Sequence, residues 1–235
     1  MATIRLIPSA YSLSNTDYLS ISNASNMYTN IDSTTYATVN HTRSRTTSYY
    51  IYVKGFNFDD IPADAIINSA IVKVKAKVKS ASSYAPALYN NTTSLGVNFD
   101  GTIGTSDTTS TVDITSNWET YKGYGSNFGI GLQLNRSSFW TASSMNIYGA
   151  EILVDYTIPT HYTISTSITG GVLRSPTTTS ATVRDGANYE ITFYGNPGYT
   201  LSSMTVDGVE VTPTIKTAPA PTLPRYTVST NYGTY

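Results

Sequence analysis

The sequence predicts an all-β protein, and three observations carry that reading. Apolar and polar residues alternate in short runs, clusters of Ser, Asn, Gly and Thr separate the runs, and hydroxyls and phenols take the place of charge. Of 235 residues only 12% are charged, against 20 tyrosines and four methionines. Thr, Tyr, Val and Ile suit half-buried pleated surfaces, while Ser, Asn and Gly supply turns. Short strands at this punctuation indicate a sandwich or barrel. The length is enough for one large β domain, or for an ordinary domain followed by a small one.

The runs can be taken in chain order. "DYLSIS" and "SYYIYVKGF" come first, followed by "IPADAIINSAIVKVKAKVKS" at residues 61–80. As a strand, this last run points Val72, Val74, Ala76 and Val78 inward. It points Lys73, Lys75, Lys77 and Lys79 outward, about 6.6 Å apart at the usual strand rise. A slip of one residue would bury all four ammonium groups, so the pattern fixes the register. The lysine row reads as the wet side of a sheet that resists edge pairing. The alternative is a contact for an anionic partner, such as teichoic acid, an anionic glycan or an acidic subunit.

"STVDIT" is the next strand. In "NFGIGLQL", Phe128, Ile130, Leu132 and Leu134 share one face and Gly129, Gly131 and Gln133 the other. In "GAEILVDYTI", Ala150, Ile152, Val154 and Tyr156 oppose Glu151 and Asp155. Both are expected to have one dry side.

Pro159 lacks a backbone donor, which places a linker at residues 158–160 after a sandwich spanning 1–157. A small β-rich module is expected at 161–212, with turns at Gly-Gly, Asp-Gly and Asn-Pro-Gly. Asp207-Gly208 is expected to close a hairpin through a two-residue turn with positive φ. Residues 213–235 begin Pro-rich and extended. They end in "RYTVSTNYGTY", which reads either as a closing strand or as the start of a further repeat.

No catalytic site is assigned. His41 and His161 read as turn or linker residues, no G-x-S-x-G elbow occurs, and Asp113 with Glu119 is an unsupported carboxylate pair. No metal site is assigned either. Asp59, Asp60 and Asp64, and the oxygen-rich loop with Asn98, Asp100 and Asp107, read as solvated turn residues. A structural calcium ion is the alternative there. Trp118, Tyr121 and Tyr124, with Tyr84, Tyr89 and Tyr199, are candidate glycan contacts, and for Trp118 burial as a plug at one end of the sandwich is the preferred reading. The absence of cysteine excludes thiolate metal sites, thiol nucleophiles and disulfides. A net charge of -1 disfavours a general nucleic-acid binder.

"YYIYVKGFNFDDIPADAIINSAIVKVKAKV" with "DITSNWETYKGYGSNFGIGLQL" resembles the jelly-roll domains of DNRLRE type and related bacteriophage minor structural proteins. The shared features are an "IP-x-x-A-x-I-x-x-A" lead into a strand and a Trp-containing turn before "FGI". "VRDGANYEITFYGNPGYTLSSMTVDGVEV" resembles the divergent internalin-B-type, bacterial Ig-like repeat, whose signature is "G-Y-x-L-x-S-x-x-V-D-G". These resemblances imply a jelly roll followed by a repeat-like module, and display or adhesion without catalysis.

"MATIRLIPSAYSLS" has no apolar core of signal-peptide length, and no run approaches membrane-spanning length. The expectation is a bacteriophage virion protein made in the host cytoplasm, a capsid- or tail-attached decoration or fibre. Its expected partners are other virion proteins, further copies of itself and a host-surface glycan, with no nucleic acid or membrane. The alternative is a secreted, cell-surface adhesin or carbohydrate-binding module.

Overall fold

The computed structural model describes residues 1–41, 48–79, 84–135, 143–198, 200–211, 214–216 and 225–231. The chain is all-β and forms two units, Met1–Ile158 and Pro159–Tyr235. Five strands lead off the first unit: β1 (Ala2–Leu6), β2 (Ala10–Leu13), β3 (Leu19–Ser22), β4 (Ala37–His41) and β5 (Tyr49–Lys54). They are followed by β6 (Ile66–Lys79), β7 (Ala87–Asn90), β8 (Thr93–Asn98) and β9 (Thr108–Asp113). A single α-helical turn, α1 (Trp118–Gly123), precedes β10 (Phe128–Leu134) and β11 (Ser143–Thr157).

These strands pair antiparallel into two sheets, ordered β3-β4-β11-β6-β9 and β2-β5-β10-β7-β8, with β1 also on β11. The eight strands β4 to β11 divide between the sheets as β4-β11-β6-β9 and β5-β10-β7-β8, which is jelly-roll topology. The expected jelly roll is present, extended by β3 on one sheet and β2 on the other.

Alternation sets the interior. Ala70, Val72, Val74, Ala76 and Val78 of β6 are buried, and Lys73, Lys75 and Lys77 lie on the other side. From the second sheet Ile51, Val53, Leu88, Ile130 and Leu132 complete the core. One end is closed by aromatic rings: Phe58 meets Trp118 at 5.4 Å and Phe128 at 5.8 Å, and Tyr121 meets Phe128 at 5.3 Å.

β11 changes phase part-way along. Ile147 pairs with Ala76 and Gly149 with Lys75, which leaves Tyr148 as the extra residue of a β-bulge. Before the bulge the odd residues Met145 and Ile147 face the core, and after it the even residues Ala150, Ile152 and Val154 do. Beside the bulge the chain at Thr29 occupies the gap between β4 and β1, both of which pair with β11. Ala150 N donates to Thr29 O (3.2 Å), and Thr29 Oγ1 donates to Tyr148 O (3.0 Å). A Cβ on Gly149 would sit 2.4 Å from Asn30 O and 2.5 Å from Thr29 O, so only glycine admits this approach.

In the second unit β12 (His161–Ser165) has a partner beyond β13 (Gly171–Ser175), namely β14 (Ser180–Arg184). β15 (Asn188–Gly195) pairs with β13, and β16 (Thr205–Val206) forms a hairpin with β17 (Val209–Glu210). Asp207 and Gly208 between them have φ of 52° and 82°, the positive-φ turn expected from the sequence. β18 (Thr214–Lys216) and β19 (Arg225–Asn231) complete the sheet β13-β15-β19-β18. "RYTVSTN" is therefore an interior strand of this unit, because the ladder edge of β15 left open by β13 is filled by β19. A module ending at 212 would lose that strand. No helix among the described residues is long and apolar enough to cross a membrane.

Two outcomes are expected. Residues 1–160 produced alone should give a β-rich circular dichroism spectrum and a cooperative melt, and an aggregate that the full chain does not form would contradict the division. Gly149→Ala should cost about 1–3 kcal/mol, as for overpacking, while Gly123→Ala, which meets no neighbour within 4 Å, should stay near wild type by urea unfolding.

Candidate functional site

The solvent side of β3-β4-β11-β6-β9 carries most of the paired charge. The bulge that turns Ala150 inward turns Glu151 outward, opposite Lys73 in register. Glu151 is nevertheless only 1% exposed, and a buried carboxylate needs compensation. It has two cations: Arg5 Nη1 lies 3.5 Å from Oε2 and Lys73 Nζ 3.9 Å from Oε1. Arg5 also donates to Asp32 at 2.8 Å, and that bond holds the Asp32 carboxyl below its ordinary value. The expected one-sided strand is corrected here, since both sides of β11 are closed at Glu151.

Further along β6 the lysines converge on Tyr148. Lys75 Nζ lies 5.2 Å and Lys77 Nζ 5.6 Å from its ring centroid, within cation–π range. Tyr148 Oη donates to Asp107 Oδ1 (3.0 Å), Lys77 Nζ meets the same oxygen at 2.9 Å, and Tyr36 packs edge-on at 5.2 Å. The hydrogen bonds to Tyr148 and then Asp107 raise Lys77 above its ordinary value, and Lys77 followed by Tyr148 lowers Asp107. Lys79 alone of the row is exposed. Lys73, Lys75 and Lys77 thus lie on the outward face and are engaged there by this chain's own acids and ring.

The solvent side of β2-β5-β10-β7-β8 has the opposite character. Ile51 and Val53 face the core, so Tyr50, Tyr52 and Lys54 face out. Across β10 they meet Gln133, Gly131 and Gly129. Tyr89 lies over this strand, and a Cβ on Gly131 would fall 2.2 Å from its ring. Tyr50 and Tyr52 stand nearly parallel (10°, 6.0 Å), while Tyr89 tilts against them at 6.0 and 5.0 Å. Burial raises the phenols of Tyr52 and Tyr89. β10 therefore has no wet side at its glycines, and this corrects the expectation for "FGIGLQL".

The aromatic candidates separate by burial. Trp118 (3% exposed) and Tyr121 (7%) are withdrawn as glycan contacts, because their rings close the end of the core against Phe58 and Phe128. Tyr124 is half-buried against Tyr121 at 6.4 Å, Tyr84 accepts from Asn135 Nδ2 at 2.6 Å, and Tyr199 lies outside the described residues. Tyr50 and Tyr52 were missed, although their alternation with Ile51 and Val53 was visible in "YYIYV".

His41 is not a turn residue. It ends β4, buried, with its ring 5.2 Å from Tyr49, whereas His161 opens β12 and is exposed. Asp113 Oδ1 accepts from Thr115 N and Oγ1 (2.8 and 2.6 Å), binding the turn before α1. Of the proposed calcium ligands, Asp60 accepts from Asn57 and Asp107 is held by Lys77 and Tyr148. Among the described residues no group of three or more His, Asp or Glu is placed to hold a metal ion.

Compared with protein-family models and with curated proteins, the chain finds no match in either.

Lys73→Thr should destabilise the protein by about 1–3 kcal/mol, since it strips a partner from a buried carboxylate. Lys79→Thr should fall within about 0.5 kcal/mol of wild type. Urea unfolding of both variants measures the difference, and equal stabilities would show that Arg5 alone compensates Glu151.

Proposed function

We propose that the protein is a non-enzymatic accessory protein of a bacteriophage virion, a capsid- or tail-attached decoration or fibre used for display or adhesion to the host surface. One observation carries the reading: the two outer faces of the jelly roll divide their chemistry. The charged face is internally paired by Arg5, Asp32, Glu151, Lys73, Lys77 and Asp107, so its ionisable groups serve to hold the sheet. The other face offers the half-buried Tyr50 and neutral polar groups over a packed layer of Tyr52 and Tyr89, a surface suited to adhesion.

The resemblance to bacteriophage minor structural proteins supplies the setting, and the fold by itself does not choose a function. In that setting the partners are other virion proteins and a host-surface glycan. Many copies on one particle raise overall binding by ~10² to 10⁴ over a weak single site. No cofactor is assigned a role.

Antibodies raised to the purified chain should label intact particles at regular positions, and particles lacking it should assemble but adsorb less. Labelling of a bacterial cell wall with none on virions would instead identify a secreted adhesin. Glycan hydrolysis abolished by one carboxylate-to-amide change would overturn the non-enzymatic reading.

A further inference from the structure

We infer that the outer face of β2-β5-β10-β7-β8 binds a neutral saccharide, with Tyr50 as the ring on which the sugar lies. The inference deepens the adhesion reading and rests on it for its biological setting. Composition selects the ligand class. The outward positions of these strands carry rings, hydroxyls, amides and glycines, with no carboxylate, and the ammonium of Lys54 already donates to Asn91 Oδ1 at 2.8 Å. An anionic ligand would find little charge here. A sugar is amphipathic, with an apolar C–H face and a rim of hydroxyls, and it needs a ring bordered by neutral hydrogen-bonding groups.

The rings differ in what they can offer. Tyr52 and Tyr89 are buried, packed against each other at 5.0 Å, with Tyr89 resting over Gly131. They form a fixed frame. Tyr50 is half-buried, set parallel to Tyr52, and keeps a solvent-facing surface. Gln133 is its partner across β10, and Ser94 stands opposite Tyr89 on β8. Ser12, in register with Tyr52 on β2, adds a hydroxyl residue beside this frame.

The test is affinity electrophoresis of the full chain in gels containing neutral polysaccharides (a β-glucan, a galactomannan, dextran) or the polyanion polygalacturonate. At least one neutral polymer should retard the wild type. Tyr50→Ala should weaken retardation about three- to tenfold, the worth of one aromatic stack, whereas Tyr50→Phe and Tyr124→Ala should hold it. If Tyr50→Ala fails to fold by circular dichroism, Gln133→Ala replaces it and should also weaken binding. No retardation in any neutral gel overturns the inference, as does retardation indifferent to both substitutions. Retardation by the polyanion alone, lost in salt, also overturns it and redirects attention to the lysine row. A protein on virions that binds no neutral saccharide defeats this inference alone. Saccharide binding by a protein found only on cell walls defeats the virion reading alone.

Discussion

The ladder between β6 and β11 organises the first unit. It joins strands of 14 and 15 residues at the centre of one sheet, and every other strand of that sheet pairs with one of the two, except β3, which is reached through β4. Four lysines in strict alternation fix β6, because no other register keeps their charges out of the core. β11 must then present apolar groups to the same interior over its whole length. It does so only by inserting Tyr148 as an extra residue, since its apolar positions fall on odd numbers before the insertion and on even numbers after it.

Other features follow from that insertion. The outer face receives Tyr148 and Glu151 close together, a large ring and a carboxylate beside the lysines of β6. Gly149 leaves space for the carbonyls of Thr29 and Asn30, and Thr29 bonds β11 at the break between β4 and β1. Asp32, three residues beyond Thr29, then reaches Arg5 and ties that segment to β1. The lysine row is thereby a structural surface and a charged one at once. Its ammonium groups compensate Glu151, which the bulge brings to them, and Asp107 from the segment before β9.

The second sheet solves a different problem with glycine. Gly129 and Gly131 remove two side chains from the outer face of β10, and the space is filled over Gly131 by the Tyr89 ring and at Gly129 by the close approach of Val53 and Lys54. Rings that cover a strand exclude water from its backbone and leave an aromatic surface outside, so the residues that pack this face also set its outer chemistry. Trp118 and Tyr121 obey the opposite logic. They lie in the short helix α1 at the end of the sandwich, where the core would otherwise open to solvent, and they are spent in closing it.

Local pattern by itself determined the β class, the inward valines of β6, and the turn at Asp207-Gly208, because alternation and positive-φ chemistry act within a few residues. It also showed the second half of β11, from Gly149 on. The first half escaped because the bulge shifts the phase, and a period of two cannot be followed across an inserted residue. Only the tertiary structure decided that Glu151 is buried, that Trp118 faces a core, that Tyr89 lies over Gly131, and that "RYTVSTN" lies between β15 and β18. Each of those facts depends on a partner more than 20 residues away in the chain. The environment of a strand's second face is set by what folds over it, and the strand's own sequence does not contain that information.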